Sequence, residues 1–216
     1  ADLTQAFLTL NVLQQADSFQ WLQKPSDDAR TRGLQVLEEL GCLKKDSSMG
    51  REAEHVTGLG REVGRLPVHP RLAILLIEGA KRGVLREVAV AAALLTERDP
   101  FRAGGQGERG PRDIIQSHVR SDIYEKVLLL QHFHATGTDV DASGLPPLHH
   151  VAARTVLRSA DQYYHLVSKK CGTRAADPPS VLREVFLTAY PDRLCRIRKG
   201  STDRGTMVGG RGVRLD

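Results

Sequence analysis

Aromatic residues are scarce, with Phe, Trp and Tyr making up 5% of the 216 residues. A core must therefore be built from Leu, Val, Ala and Ile, and a hydrophobic content of 40% allows one. Cysteine is scarcer still. Cys42, Cys171 and Cys195 are odd in number and widely spaced, which excludes a disulfide framework and fits a reducing cytoplasm. No Cys-x-x-Cys is present, which argues against a thiolate zinc site. No apolar run reaches the roughly 18 residues of a membrane span, and no signal peptide stands at the start. The expectation is a cytoplasmic protein with no membrane partner. Both ends of the chain read as cuts in a longer protein.

Nucleotide-hydrolysis chemistry is also missing. A phosphate-cradling loop needs glycines for close backbone approach, a Lys for the β- and γ-phosphates, and a Ser or Thr for magnesium. This chain has no Gly-Lys pair, no Lys followed by Ser or Thr, and no Asp-Glu-x-His. Gly58-Leu59-Gly60 is followed by Gly64, one position too far for a dinucleotide fingerprint, and no apolar strand leads into it. No nucleophile–base pattern supports a self-standing hydrolase. The chain alone is expected to be inactive and to hold no cofactor. His132, His134, His149 and His150 lack a carboxylate at ligand spacing, so surface or capping roles are expected and no metal.

What is present is a basic, helical chain. Net charge is +5 and unevenly spread: residues 1–65 carry eight basic and ten acidic groups, residues 171–216 nine and five. That skew suits a polyanion, or simply a solvated surface. Leu3, Ala6, Phe7, Leu10 and Leu13 recur at helical spacing. Ser26 can cap a second helix carrying Leu34, Leu37 and Leu40, and Gly41 ends it. Cys42-Leu43 and His55-Val56 read as a two-stranded ribbon around a polar turn, Lys44 to Gly50. Thr57 can cap a third helix. This order predicts a winged-helix-like domain over residues 1–66.

Pro70 opens the next helix, with Leu72, Ala73, Leu76 and Ala80 along it and Gly83 at its end. Val84, Leu85, Val88, Ala91, Ala92 and Leu95 line another. Ile115, Val119, Ile123, Leu130 and Phe133 mark a third. A fourth opens at Pro146-Pro147 and carries Val151, Ala152, Val156, Tyr163 and Leu166. The prediction is an antiparallel helical bundle over residues 67–172. Residues 173–216 read as a short helix followed by the opening of a β region. The fold class is thus mainly α, with a short β segment at the C-terminal end.

Three segments resemble the HrpB branch of the DEAH-box helicases: Thr57 to Ala73, Ala91 to Pro100, and Ala189-Tyr190-Pro191-Asp192-Arg193-Leu194. They stand in that family's order and approximate spacing. The resemblance implies a winged helix, a helicase-associated ratchet domain and the start of an oligonucleotide-binding region. It further implies a parent ATP-dependent helicase whose RecA-like motor domains bind ATP and magnesium. The partners it implies are single-stranded RNA, or DNA, and those motor domains. The Lys44 to Glu54 turn is longer and more charged than the family pattern.

Candidate contacts follow from charge. Arg112 and Arg120 are eight residues apart and can share a helix face beside a glycine-rich loop. Arg193, Arg196, Arg198 and Lys199 form the densest basic run, suited to phosphates. Arg98, in Glu97-Arg98-Asp99, either faces nucleic acid or belongs to a local ion-pair network. His69-Pro70-Arg71 is either an interdomain or RNA-facing contact or a helix start whose arginine covers Leu72 and Leu75. Two other functions stay open. A DNA-reading winged helix would place Asp27, Asp28, Glu38 and Glu39 in a groove beside phosphates. A protein-docking scaffold within a helicase would lack intrinsic RNA affinity.

Overall fold

The computed structural model describes residues 2–16, 18–46, 53–101, 121–138 and 148–214. By internal packing the chain forms two compact units. One comprises Ala1–Ile74 with Phe186–Asp216, and the other Leu75–Val185.

The first unit opens with α1 (Thr4–Val12) and α2 (Asp27–Glu39), followed by the ribbon β1 (Leu43–Asp46) and β2 (Ala53–Val56), then α3 (Gly58–Val63). This is the order and packing of a winged helix. Capping chemistry sets the helix starts. The Ser26 hydroxyl accepts from the Ala29 N–H, and Asp27 and Asp28 sit at the positive end of α2. Gly41, with φ +69°, ends that helix in the left-handed conformation. Phe7, Leu8, Leu10, Leu37, Leu40 and Leu43 are buried together. Leu13 is 59% exposed, because α1 ends at Val12, one residue short of the predicted stripe. Burial also pushes the Cys42 thiol up to about 11, so it packs as a small apolar group.

The ribbon differs from its prediction in one respect. Lys44 to Asp46 are strand, paired antiparallel with Ala53 to His55, and not turn. Only residues 47–52 remain for the tip, and they lie outside the described residues. Gly60 is explained by packing. A Cβ there would stand 2.1 Å from the Cys42 carbonyl oxygen, so α3 approaches the ribbon at a distance only glycine allows. Thr57 fixes that approach. Its hydroxyl accepts from the Gly60 N–H at 2.9 Å and donates to the Gly41 carbonyl at 2.7 Å. Thr57→Val keeps the shape and loses both bonds. Its expected cost is about 2 kcal/mol in urea denaturation, and an unchanged midpoint would refute the role.

Residues 69–71 also belong to this unit. His69 Nδ1 accepts from the Arg71 N–H at 3.3 Å, capping α4 (Pro70–Lys81), and its Nε2 stands 3.1 Å from Asp2. Burial raises the Asp2 carboxyl, but bonds from Thr4 and the charge of His69 outweigh it and hold the group below its usual value. Arg71 turns its guanidinium to residues 189–192. Its guanidinium donates to the Ala189 carbonyl at 2.8 Å, pairs with Asp192 at 2.7 Å, and lies 5.2 Å from the Tyr190 ring centre.

The second unit is an antiparallel helical bundle. It contains the later part of α4, then α5 (Leu85–Thr96), α6 (Asp122–Thr136), α7 (His150–Val167), a 3-10 turn (Ser168–Lys170) and the first part of α8 (Pro178–Ala189). α5 is the central element. Val88 and Ala91 to Ala93 are fully enclosed, so neighbouring helices come close. Leu95 is 48% exposed, on the solvent side of the last turn of α5, while the next two residues bond to α7. α7 starts at His150 rather than at Pro146-Pro147, which lie outside the described residues. His149 caps it, with Nδ1 accepting from the Ala152 N–H at 3.2 Å. Its buried stripe is Ala153, Val156, Ala160 and Val167, at helical spacing. Val151 and Leu166 fall off that stripe and are exposed.

Candidate nucleic-acid interface

Beyond α8 the chain turns through Pro191–Arg193 and then forms β3 (Cys195–Ile197), β4 (Arg204–Met207) and β5 (Gly212–Arg214). The strands make an antiparallel sheet in the order β3-β4-β5. Left-handed glycines set its two turns, Gly200 between β3 and β4, and Gly209 and Gly210 between β4 and β5. Register then decides which side chains share a face. Arg196 pairs with Thr206, Thr206 with Gly212, and Arg204 with Arg214. The Arg198 N–H donates to the Arg204 carbonyl at 2.9 Å, which carries the pairing one residue past β3.

Side chains alternate along a strand, so the even-numbered residues lie on one face. That face carries Arg196, Arg198, Arg204 and Arg214, all exposed, around Thr206 and Gly212. The Arg198 Nε donates to the Thr206 hydroxyl at 3.2 Å. Its guanidinium lies across Gly212, where a Cβ would come within 3.1 Å. Asp203 is the carboxylate at the edge, pairing with Arg214 at 2.9 Å. The odd-numbered face is apolar or small, with Cys195, Ile197, Gly205, Met207 and Val213.

Four guanidiniums on one sheet face form a concentrated positive field with planar donors. They can hold phosphate oxygens or lie against bases. Of the predicted residues, the structure brings Arg196 and Arg198 together on this face. Lys199 is exposed in the β3–β4 turn, and Arg193 is exposed before β3, beside Asp192 at 3.4 Å. Arg204 and Arg214 were missed. Their signal is the alternation Arg204-x-Thr206 and Gly212-x-Arg214 on either side of Gly209-Gly210.

Arg98 belongs to the other unit, at the exposed end of α5. Its acidic neighbours bond to α7 and α6. Glu97 accepts from the Ser159 hydroxyl at 2.8 Å, and Asp99 pairs with Lys126 at 2.7 Å. Burial raises the Asp99 carboxyl, and the bonds from Lys126 and the Phe101 N–H bring it below its usual value. Arg112 and Arg120 lie outside the described residues. Among the described residues, no group of three or more His, Cys, Asp or Glu could hold a metal ion. Among them, no helix is long and apolar enough to cross a membrane.

Comparison with known proteins gives this geometry a context. Residues 69–128 match the helicase-associated domain (HA2), ratchet-like. The ATP-dependent RNA helicase HrpA of Escherichia coli is 33% identical over 101 residues, 46% of this chain and 8% of that protein. Its homolog in Haemophilus influenzae is 28% identical over 88 residues, 41% of this chain and 7% of that protein. The chain thus spans under a tenth of these relatives. The crystal structure of the Escherichia coli DExH-box NTPase HrpB matches the whole chain with a TM-score of 0.62, at 20% identity and over 21% of that protein. Residues 69–128 are thus similar to a ratchet-like helicase-associated domain, and the chain as a whole shares the fold of the matching part of HrpB.

Proposed function

We propose that this chain is the accessory region of an ATP-dependent RNA helicase and that its C-terminal sheet holds a single strand by the backbone. The observation that carries the reading is the shared face of Arg196, Arg198, Arg204 and Arg214. Arg193 and Lys199 extend that basic surface, and Arg98, Arg112 and Arg120 are further candidate contacts in the sequence. ATP and magnesium would be held by motor domains of the parent protein, whose motifs this sequence lacks. Movement of those domains would draw the strand past the accessory region. Contacts to phosphate carry little sequence information, so binding should be weakly sequence-specific and shared by single-stranded RNA and DNA.

Fluorescence anisotropy of a labelled single-stranded RNA tests this. Each phosphate contact on a single strand contributes about −0.7 to the slope of log K against log salt. Four contacts give a slope of about −3. Arg196→Ala with Arg198→Ala should lower the slope by about 1.4 and weaken binding at least about tenfold. An unchanged slope in the double variant refutes the sheet as the interface. No binding at low salt would leave a docking role in place of an RNA grip.

A further inference from the structure

Register sets three arginines in one row across the C-terminal sheet. Arg204 on β4 stands opposite Arg214 on β5, and Arg198, one residue past β3, stands opposite Arg204. Like charges directly opposite are unfavourable, so each guanidinium must be drawn aside or meet an anion. Arg214 turns to the Asp203 carboxylate at 2.9 Å. Arg198 turns to the neighbouring row, Arg196–Thr206–Gly212. There its Nε donates to the Thr206 hydroxyl at 3.2 Å, and its Nη2 lies where a Cβ on Gly212 would come within 3.1 Å. Arg204 is left in the middle of its row, exposed.

The way Arg198 is held decides what it can offer. Nε–H and Nη2 form one edge of a guanidinium, an edge that grips a carboxylate or phosphate side-on. In Arg198 that edge faces the protein. A flat face and the outer edge remain open on an exposed side chain that is already held at two points. An arginine plane is a stacking surface for an unpaired base. Holding it in advance lowers the entropy lost when a base settles on it. Gly212 is not left-handed, so its missing side chain provides space for the guanidinium rather than a backbone conformation. Residues 191–214 contain no Phe, Trp or Tyr, so no aromatic ring of this segment takes the same part.

We infer that Arg198 is a base platform: a nucleobase of a single strand stacks on its guanidinium while the phosphate of the same nucleotide meets Arg204. Thr206 and Gly212 are positioning residues that keep the platform in place. Neighbouring strands lie about 4.8 Å apart, the scale of one nucleotide from phosphate to base. The inference rests on the sheet being a single-strand interface, and adds that a base is held there as well as phosphates. Every base has a face to stack, so the contact stays weakly sequence-specific. A duplex keeps its bases inside and cannot make it.

Fluorescence anisotropy of the 216-residue chain with two labelled DNA strands of equal length and charge tests the platform. One is an oligodeoxyadenylate, and the other carries an abasic tetrahydrofuran at every position. The strand with bases should bind about tenfold more tightly. Arg198→Lys keeps the charge and loses the plane, so that ratio should fall at least about threefold with the salt slope retained. Thr206→Val should lower the ratio in the same way, and Thr206→Ser, which keeps the hydroxyl, should retain it. Differences between the strands that do not involve Arg198 are common to all variants and cancel. A ratio that Arg198→Lys leaves at the wild-type value, or that Arg196→Lys lowers as much, overturns the platform and leaves the backbone grip standing. If the wild-type chain binds neither strand at low salt, grip and platform fall together.

Discussion

Gly83→Ala should destabilise the helical bundle by about 4 kcal/mol and lower Tm by about 10 °C. Gly83 ends α4 with φ +72°, a conformation that costs an alanine about 1 kcal/mol. The larger part is steric. A Cβ at position 83 would stand 1.8 Å from the Thr173 carbonyl oxygen, and backbone cannot swing aside as a flexible side chain can. The connector passing over this turn is itself bonded to it. The Gly172 N–H donates to the Ala80 carbonyl at 2.7 Å, and the Ala175 N–H to Gly83 at 3.2 Å. Moving the connector strains both bonds and the Arg174–Glu87 pair between them. Gly137 supplies the control. It also has φ +72°, but nothing lies within 4 Å of its Cβ position. Gly137→Ala should therefore lose only the conformational part, about 1 kcal/mol. Equal losses in the two variants, measured by thermal and urea denaturation, would sink the argument from close approach.

What could be read from the sequence was chemistry that acts over a few residues. Ser26 and Thr57 cap helices, Pro70 opens one, and Gly41 and Gly83 end two, all within a turn of the residue concerned. The winged-helix order and the helical bundle follow from those boundaries and the apolar spacing between them. Burial in the third dimension was less legible. α7 buries Ala153 and Ala160, which hydrophobicity alone does not single out, while the larger Val151 and Leu166 face solvent. Leu95 fits the period of α5 but faces solvent in its last turn.

The candidate interface divides in the same way. Local density picked out Arg196 and Arg198. Arg204 and Arg214 are distant in sequence and join them only through register, which two glycine turns fix. Glu97 and Asp99 find partners far away in sequence, the Ser159 hydroxyl and Lys126, which the three-residue segment by itself does not announce.

Arg71→Met should cost about 3 kcal/mol while leaving the single-strand affinity of the folded chain unchanged. Arg71 is an anchor because three partners meet one planar group: the Ala189 carbonyl that ends α8, the Asp192 carboxylate, and the Tyr190 ring. Its side chain is 13% exposed and that of Asp192 33%, so the pair is shielded from water more than a surface bridge is. Methionine keeps the stem and loses the charge, the two bonds and the cation–ring contact. Tyr190 then stays half-buried without the guanidinium that partly offsets the upward push of burial on its phenol. Arg71→Lys should recover less than half of the loss. A lysine ammonium is a point donor and cannot bond a carbonyl and a carboxylate in one plane while stacking on a ring. Asp192→Asn removes one partner and should cost about 1 kcal/mol. The same variants separate anchoring from RNA contact. If Arg71→Met leaves the melting temperature intact and weakens RNA binding, then Arg71 faces the strand and the ties to Ala189, Asp192 and Tyr190 are incidental. If stability falls in the order Met, Lys, Asn with affinity unchanged, Arg71 holds the start of α4 to the end of α8, and the basic sheet that follows α8 starts from a fixed point.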